Sequence, residues 1–452
     1  MKSALDDTIA AIVTPFGSGG VGVVRLSGNQ GIGISEQLID NFPRHIIPSR
    51  VYHSWVLSDR KRLDEVIYYY MKAPNSYTGE DIIEINCHGG RVVLRKVLEL
   101  VIAAGARQAV RGEFTRRAFL NGKLDLAQAE AVIDLVAARS DKGALAAAAQ
   151  LSGGISQKVA ALRSSLLSLL AEIEAGLDFP EDIGEVGGEQ IIDLCRSVVN
   201  EIAALLATAA GGRVMREGAR VAIVGRPNVG KSSLLNAMIE ADRSIVSDQP
   251  GTTRDTVEEG FVFDEVHFLF VDTAGLRAPG DVVEEKGIAR TKAEIARADL
   301  VLAVFDASAP LTAEDGCLLS KYGVDKCLAV FNKIDLGLLA TVDKFEGAEA
   351  TAFVSALTGE GIDNLKKLIA NYISRDKIMA VDGGLINMRH EECLLRAREA
   401  LEGVLDGARG KVPLDLIAID LRLAVAALGE VSGHQVSDEV IDQIFSGFCV
   451  GK

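Results

Sequence analysis

Cysteine is sparse in this sequence and shows no pairing. The six cysteines, Cys87, Cys195, Cys317, Cys327, Cys393 and Cys449, form no CxxC and share no ligand-like spacing with the six histidines. That pattern excludes a disulfide framework and a zinc site of the usual spacing, and it points to reduced thiols. No stretch approaches the run of about 18 apolar residues that a membrane helix needs. Residues 1–16 lack the basic start and long apolar core of a signal peptide. The expected location is the cytoplasm, without a membrane partner. Disorder as the main state is excluded as well, because 48% of residues are hydrophobic and 25% charged. Cations are outnumbered, 48 Lys and Arg against 63 Asp and Glu, for a net charge of −15. Phosphate binding needs clustered cations. Residues 1–120 nonetheless hold 15 basic and 12 acidic side chains. Any nucleic-acid contact therefore favours the N-terminal part, or the chain takes a basic partner.

The 452 residues suggest about three domains of roughly 150 residues, large enough to bury sizeable cores. Residues 1–120 read as α+β: the glycine-rich stretch 17–22 precedes Val23 and Val24, residues 66–70 and 82–85 look like strands, and residues 92–104 have helical spacing. Residues 121–217 are helical, with long helices expected over 124–151, 155–177 and 189–210 and Gly143 the lone breaker in the first. Residues 218–376 change to apolar strands at 221–224, 266–271, 300–305 and 328–331, separated by helix-length segments. Such strands belong in a mostly parallel sheet covered on both faces. Helical signals return over 377–452, which suggests an α/β unit inserted into a helical domain, with a plain string of domains as the alternative.

Gly225-Arg226-Pro227-Asn228-Val229-Gly230-Lys231-Ser232 is a complete GxxxxGKS between a predicted strand and a predicted helix. Its glycines let backbone N–H groups, together with those of Val229, Ser232 and Ser233, turn towards phosphate. Lys231 is placed to neutralise the β and γ phosphates of GTP, and Ser232 to ligate Mg2+. The partners follow in order: Gly251-Thr252-Thr253 with Thr253 as a switch threonine on the metal, Asp272-Thr273-Ala274-Gly275 at a strand end, Asn332-Lys333-Ile334-Asp335, and Ser355-Ala356-Leu357. A carboxylate at Asp335 accepts two hydrogen bonds from guanine, each worth about 1.5–3 kcal/mol, and adenine supplies neither. Leu276 stands where many small GTPases carry a water-orienting glutamine.

The flanking motifs narrow the reading. Pro15-Phe16-Gly17-Ser18-Gly19-Gly20-Val21-Gly22, Ala73-Pro74-Asn75-Ser76-Tyr77-Thr78-Gly79-Glu80-Asp81, His88-Gly89-Gly90, residues 112–126 and the ending Phe448-Cys449-Val450-Gly451-Lys452 resemble the MnmE (TrmE) family of tRNA modification GTPases. The family's usual ending has isoleucine where Val450 stands. The resemblance implies a multidomain fold: an α+β N-terminal folate-binding and dimerising domain, an all-α helical domain, and an inserted α/β P-loop GTPase domain. It implies a homodimer that joins the flavoprotein MnmG in a heterotetramer and adds an aminomethyl or carboxymethylaminomethyl group to carbon five of the tRNA wobble uridine. A one-carbon folate such as 5-formyltetrahydrofolate would be held by Arg25, Glu84, Lys123 and Lys452. K+ would be held by Asn228, Ser247, Gln249 and Thr252, within a nucleotide-contacting stretch that includes Asp248 and Pro250. Glu284 matches the family's catalytic glutamate, with Glu285 beside it as an alternative. Arg254 and Arg277 remain the candidates by charge for a transition-state cation. Cys449 gains a reactive role from the family ending, although no histidine neighbours it in sequence. His88 and His434, each next to glycine, could line a ligand pocket or serve structure. The competing functions are a ribosome-assembly GTPase acting as an RNA-binding switch and a signalling switch. Both lack a use for a folate-type domain.

Overall fold

The computed structural model describes residues 7–15, 17, 19–179, 186–240, 259–264, 266–272, 295–312, 315, 326–339, 350–377 and 386–452. The chain divides into two compact units. One comprises Met1–Ile133, Ser156–Ser164 and Val425–Lys452, and the other Asp134–Ile155 and Ser165–Ala424.

The first unit opens with β1 (Ile9–Ile12), β2 (Val21–Ser27), α1 (Gly31–Leu38), β3 (Val51–Ser58), β4 (Lys61–Met71), β5 (Ile82–His88), α2 (Arg91–Ala103), β6 (Arg107–Gln108), α3 (Glu113–Leu120) and α4 (Leu126–Ala137). The sheet runs β3-β4-β5-β2-β1-β6 and is antiparallel except for the β1–β6 pair. Strand alternation explains its two faces. In β4, Val66, Tyr68 and Tyr70 turn into a core shared with Ile83 and Ile85 of β5, Ile34 of α1 and Val97 and Val101 of α2. Each such aliphatic side chain contributes about 1.5–3 kcal/mol by leaving water. The opposite face presents a cross-strand row, Arg25 beside Glu84 beside Tyr69.

The helix expected over 124–151 is broken. After α4 the chain turns, and α5 (Asp141–Leu151) starts afresh with the Ser140 side chain accepting from the Gly143 N–H at 3.1 Å. The N-cap serine, and not Gly143, makes the break, since a side-chain oxygen satisfies an N–H that an uninterrupted helix would bond internally. Next come α6 (Gly154–Asp178), α7 (Gly188–Ala207) and α8 (Ala209–Glu217). The second sheet then begins: β7 (Ala219–Gly225), α9 (Lys231–Glu240), β8 (Glu259–Phe263), β9 (Val266–Asp272), β10 (Leu300–Asp306), β11 (Cys327–Asn332), β12 (Ala350–Phe353) and α10 (Ile362–Lys377). The chain closes with α11 (Met388–Arg409), α12 (Leu414–Ser432) and α13 (Asp438–Ser446).

The second sheet has the order β12-β11-β10-β7-β9-β8, parallel except for β8. Leu300, Leu302 and Val304 face one core and Val301, Ala303 and Phe305 the other. Burial on both sides is the reason for the near-continuous apolar runs in the sequence. Helix α7 packs along α11, so the chain leaves a helical layer, builds the α/β unit and returns to the same layer. The fold is multidomain, with the P-loop unit inserted between helices.

Candidate functional site

The phosphate loop runs from the end of β7 to the start of α9. Gly225 has φ 156° and Gly230 φ 92°. A Cβ at Gly230 would stand 2.3 Å from Asn332 Nδ2, and one at Gly225 2.5 Å from the Val304 carbonyl oxygen. Both positions therefore demand glycine on two counts, the backbone angle and the space. Asn228 lies between them at φ 65°, a left-handed conformation that asparagine tolerates better than most residues. Val229 is buried and anchors the loop, while Asn228, Ser232 and Ser233 are exposed. Lys231 Nζ donates to the carbonyls of Gly225 at 3.0 Å and Arg226 at 2.7 Å. The loop is thus a ring of backbone donors at a helix N-terminus with one ammonium folded over it, suited to a triphosphate.

Asn332 joins this loop to the segments that carry Asp335 and Ser355. Its Nδ2 donates to the Val229 carbonyl at 2.9 Å and its Oδ1 accepts from the Ala356 N–H at 3.0 Å, with the residue 1% exposed. Asp335 Oδ1 accepts from Ser355 Oγ at 2.6 Å, and Ser355 Oγ also accepts from the Thr358 N–H. A fixed carboxylate edge results, with Leu357 exposed beside it. Lys333, at φ 68°, places Nζ 2.6 Å from Asp306 Oδ2. Burial pushes the Asp306 carboxyl up, but hydrogen bonds from Lys333 and Ser308 outweigh it and hold the group below its ordinary value. Arg226 donates to Thr312 Oγ1 and Asp315 Oδ2 at 3.0 and 3.1 Å, tying the phosphate loop to the segment after β10. Asp306 and Asp315 were not expected from the sequence, where neither belongs to a motif.

Ser247, Asp248, Gln249, Pro250, Gly251, Thr252, Thr253, Arg254, Thr273, Ala274, Gly275, Leu276, Arg277, Glu284 and Glu285 lie outside the described residues, as does the side chain of Asp272. Among the described residues no group of three or more His, Cys, Asp or Glu side chains could hold a metal ion. Of the two residues expected on Mg2+, Ser232 is described and Thr253 is not.

A second cluster lies in the first unit. Arg25 Nε donates to Glu84 Oε1 at 2.6 Å, and the Tyr69 hydroxyl donates to Glu84 Oε2. The Arg25 guanidinium lies 5.4 Å from the Tyr77 ring centre and 5.5 Å from that of Phe114. Burial and the Glu84 carboxylate push the Tyr69 hydroxyl up to about 12. Lys123 is exposed and packs its stem on Gly79, two residues from Tyr77. The Lys452 carbonyl accepts from the Phe114 N–H at 3.2 Å, and Arg111 bridges to Val450. Gly451, at φ 101°, sits where a Cβ would be 2.6 Å from the Ile12 carbonyl oxygen. Arg25 thus lies against Tyr77 and Phe114 and holds Glu84, the backbone of Lys452 meets Phe114, and Lys123 lies against Gly79. Cys449 is exposed, and its carbonyl oxygen accepts from the Gly112 N–H at 3.4 Å. His88 is bound through Nδ1 to Asp64 at 2.6 Å and His434 to Ser432 at 2.9 Å. Sequence reasoning missed Tyr69, whose signal was strand alternation alone.

The cluster owes its rigidity to Arg117, 1% exposed. It donates to Asp7, Glu80 and Glu113. Burial pushes the Glu113 carboxyl up, yet hydrogen bonds from Arg107, Val110 and Arg117 bring it below its ordinary value. A buried guanidinium with several carboxylates is costly to leave unpaired, so the segments carrying Tyr77 and Phe114 are tied together.

Comparisons with known proteins bear on both clusters. The family model described as the MnmE helical domain matches residues 126–449, and the one described as GTP-binding protein TrmE N-terminus matches residues 8–123. The tRNA modification GTPase MnmE of Moorella thermoacetica is 44% identical over 462 residues, covering 99% of this chain and 100% of that one. The protein of the same name from Alkaliphilus metalliredigens is 40% identical over 459 residues, with 99% and 100% covered. Among solved structures, Era of Aquifex aeolicus with GDP and AlF4− is 29% identical over 40% of this chain and 66% of that one, with a TM-score of 0.28.

Proposed function

The chain belongs to the MnmE family of tRNA modification GTPases, and from that premise we propose that it hydrolyses GTP with Mg2+ and K+ to drive modification of the wobble uridine of tRNA at carbon five. The observation that carries the nucleotide half is Asn332, which fastens the phosphate loop to the segment holding Asp335 and Ser355. Lys231 meets the β and γ phosphates, Ser232 ligates Mg2+, and Asp335 reads guanine. Asn228 offers a side-chain oxygen to K+, with Ser247, Gln249 and Thr252 completing that set. Glu284 orients the attacking water in place of the glutamine that Leu276 replaces. The monovalent ion supplies positive charge where negative charge grows during cleavage.

The first-unit cluster fits a folate. Arg25 and Lys123 suit its carboxylates, Glu84 can accept from a pterin N–H, and Tyr77 and Phe114 offer flat faces to the ring. The donor set is present and held, which supports one-carbon donation from a folate such as 5-formyltetrahydrofolate. Cys449 stands exposed on the tail whose backbone meets Gly112 and Phe114, which suits a direct part in the transfer. The chain acts as a homodimer and works with the flavoprotein MnmG in a heterotetramer in the cytoplasm.

The test is nucleoside analysis of tRNA from cells lacking this chain, with and without its return, together with hydrolysis in potassium, sodium and caesium chloride at equal ionic strength. Wobble modification is expected to vanish and to return with the chain, and hydrolysis to be fastest in potassium. Unchanged nucleosides would remove the tRNA reading, and equal rates in all three salts would remove the K+ assignment.

A further inference from the structure

Residues 41–62 form a strongly basic stretch in an acidic chain. Arg44, Arg50, Arg60, Lys61 and Arg62 face a single acid, Asp59, whereas the remainder of the chain is net negative. The fold gathers them along β3, the edge of the first sheet, and its hairpin with β4. Asp59 and Arg60 form the two-residue turn at φ 51° and 64°, the twist that suits a tight hairpin. That turn projects Arg60 and Lys61 into solvent. Among the described residues, Arg44, Arg50, Arg60 and Lys61 make no ion pair. Arg62 lies 3.7 Å from Asp40 and 4.9 Å from the centre of the Trp55 ring, and Arg50 lies 5.5 Å from that of Tyr52.

We infer that this edge, from Arg44 to Arg62, is the surface that grips tRNA. The inference rests on the functional reading above for its partner. An exposed strand edge gains from charge as a guard against pairing with another sheet, but either sign would serve. In a chain with more acids than bases, five cations together fit an anionic occupant. Arginines resting on aromatic rings keep the guanidinium plane fixed and its N–H edges outward, an arrangement suited to phosphate and to unstacked bases.

The test measures binding of an in vitro tRNA transcript carrying an unmodified wobble uridine, over a range of salt concentrations. Replacing Arg44, Arg50, Arg60 and Lys61 together by alanine is expected to weaken binding by more than about 30-fold near 0.1 M salt and to flatten the dependence of log affinity on log salt by about 3. GTP hydrolysis should be unchanged. The smaller variant Arg60→Gln with Lys61→Gln, confined to the turn, is expected to flatten it by about 2 and keeps the test open if the larger variant fails to fold. If the unaltered chain binds tRNA and the turn variant matches it in affinity and slope, this surface is wrong. A loss of self-association in sedimentation that parallels the loss of tRNA binding would assign the edge to a second copy of the chain instead. If the unaltered chain binds no tRNA, the functional reading falls and this inference with it.

Discussion

Asp335 is fixed by the Ser355 hydroxyl, so exchanging its carboxylate for an amide changes the chemistry of the edge while leaving its position alone. Asp335→Asn turns an acceptor into a donor and is expected to shift preference from GTP to xanthosine triphosphate by at least about 100-fold, from two charged hydrogen bonds lost. Competition binding with both nucleotides measures it, and an unchanged GTP preference would refute guanine reading by this residue. His267 on β9 gives a pH prediction. Burial, then the Arg139 charge, push its imidazole down to about 4 from 6.5, and its Nδ1 is buried without a hydrogen-bond partner. Unfolded chains bind this proton below about pH 6.5 and the native state does not until about 4. Stability from this group is therefore complete above 6.5 and is lost as pH falls through that window, by about 2 kcal/mol after screening. Denaturant titrations at pH 7.5 and 4.5 should show a smaller difference for His267→Phe than for the unaltered chain. The motif residues around phosphate and base were legible because their chemistry is tied to short spacings. Asp306, Asp315 and Tyr69 were not, since each is drawn in by a partner distant in sequence.

Helix α5 approaches α8 through Gly143, where a Cβ would meet the Met215 carbonyl oxygen at 2.8 Å. Glycine to alanine inside a helix ordinarily gains about 1 kcal/mol. Gly143→Ala is expected to lose stability instead, by about 1–3 kcal/mol, because backbone cannot yield as a side chain can. A raised midpoint in thermal unfolding would show that the two helices part at no cost. The α/β sheet was readable from the sequence because a strand buried on both faces announces itself by composition alone. In the first unit, the strands at 66–70 and 82–85 were visible, and the structure extends them as β4 and β5. Their pairing was not visible: Arg25 and Glu84 meet across 59 positions of sequence, and no local pattern encodes that register. The break between α4 and α5 was missed for a different reason. Alanine-rich sequence favours helix on both sides, and the single cap at Ser140 decides.

The nucleotide site belongs to one compact unit and residues 448–452 to the other. Removing those five residues is expected to leave GTP hydrolysis within about twofold, less than 0.5 kcal/mol in barrier, and to abolish tRNA modification. Equal loss of both would show that the tail maintains the whole chain. The residues that complete the first unit reach it from far along the sequence. Phe445 packs on Phe119 with ring centres 6.2 Å apart, and its carbonyl oxygen fits against Gly112. Between the stretch that ends at Ile133 and the return at Val425 lie about 290 residues, nearly all of them in the other unit. At 5–20 residues per second, a ribosome takes roughly 15–60 s to bridge that interval. The sheet made first waits through it with the seat for Phe445 and Phe448 uncovered, so biosynthesis builds the nucleotide-handling unit before the first unit can close.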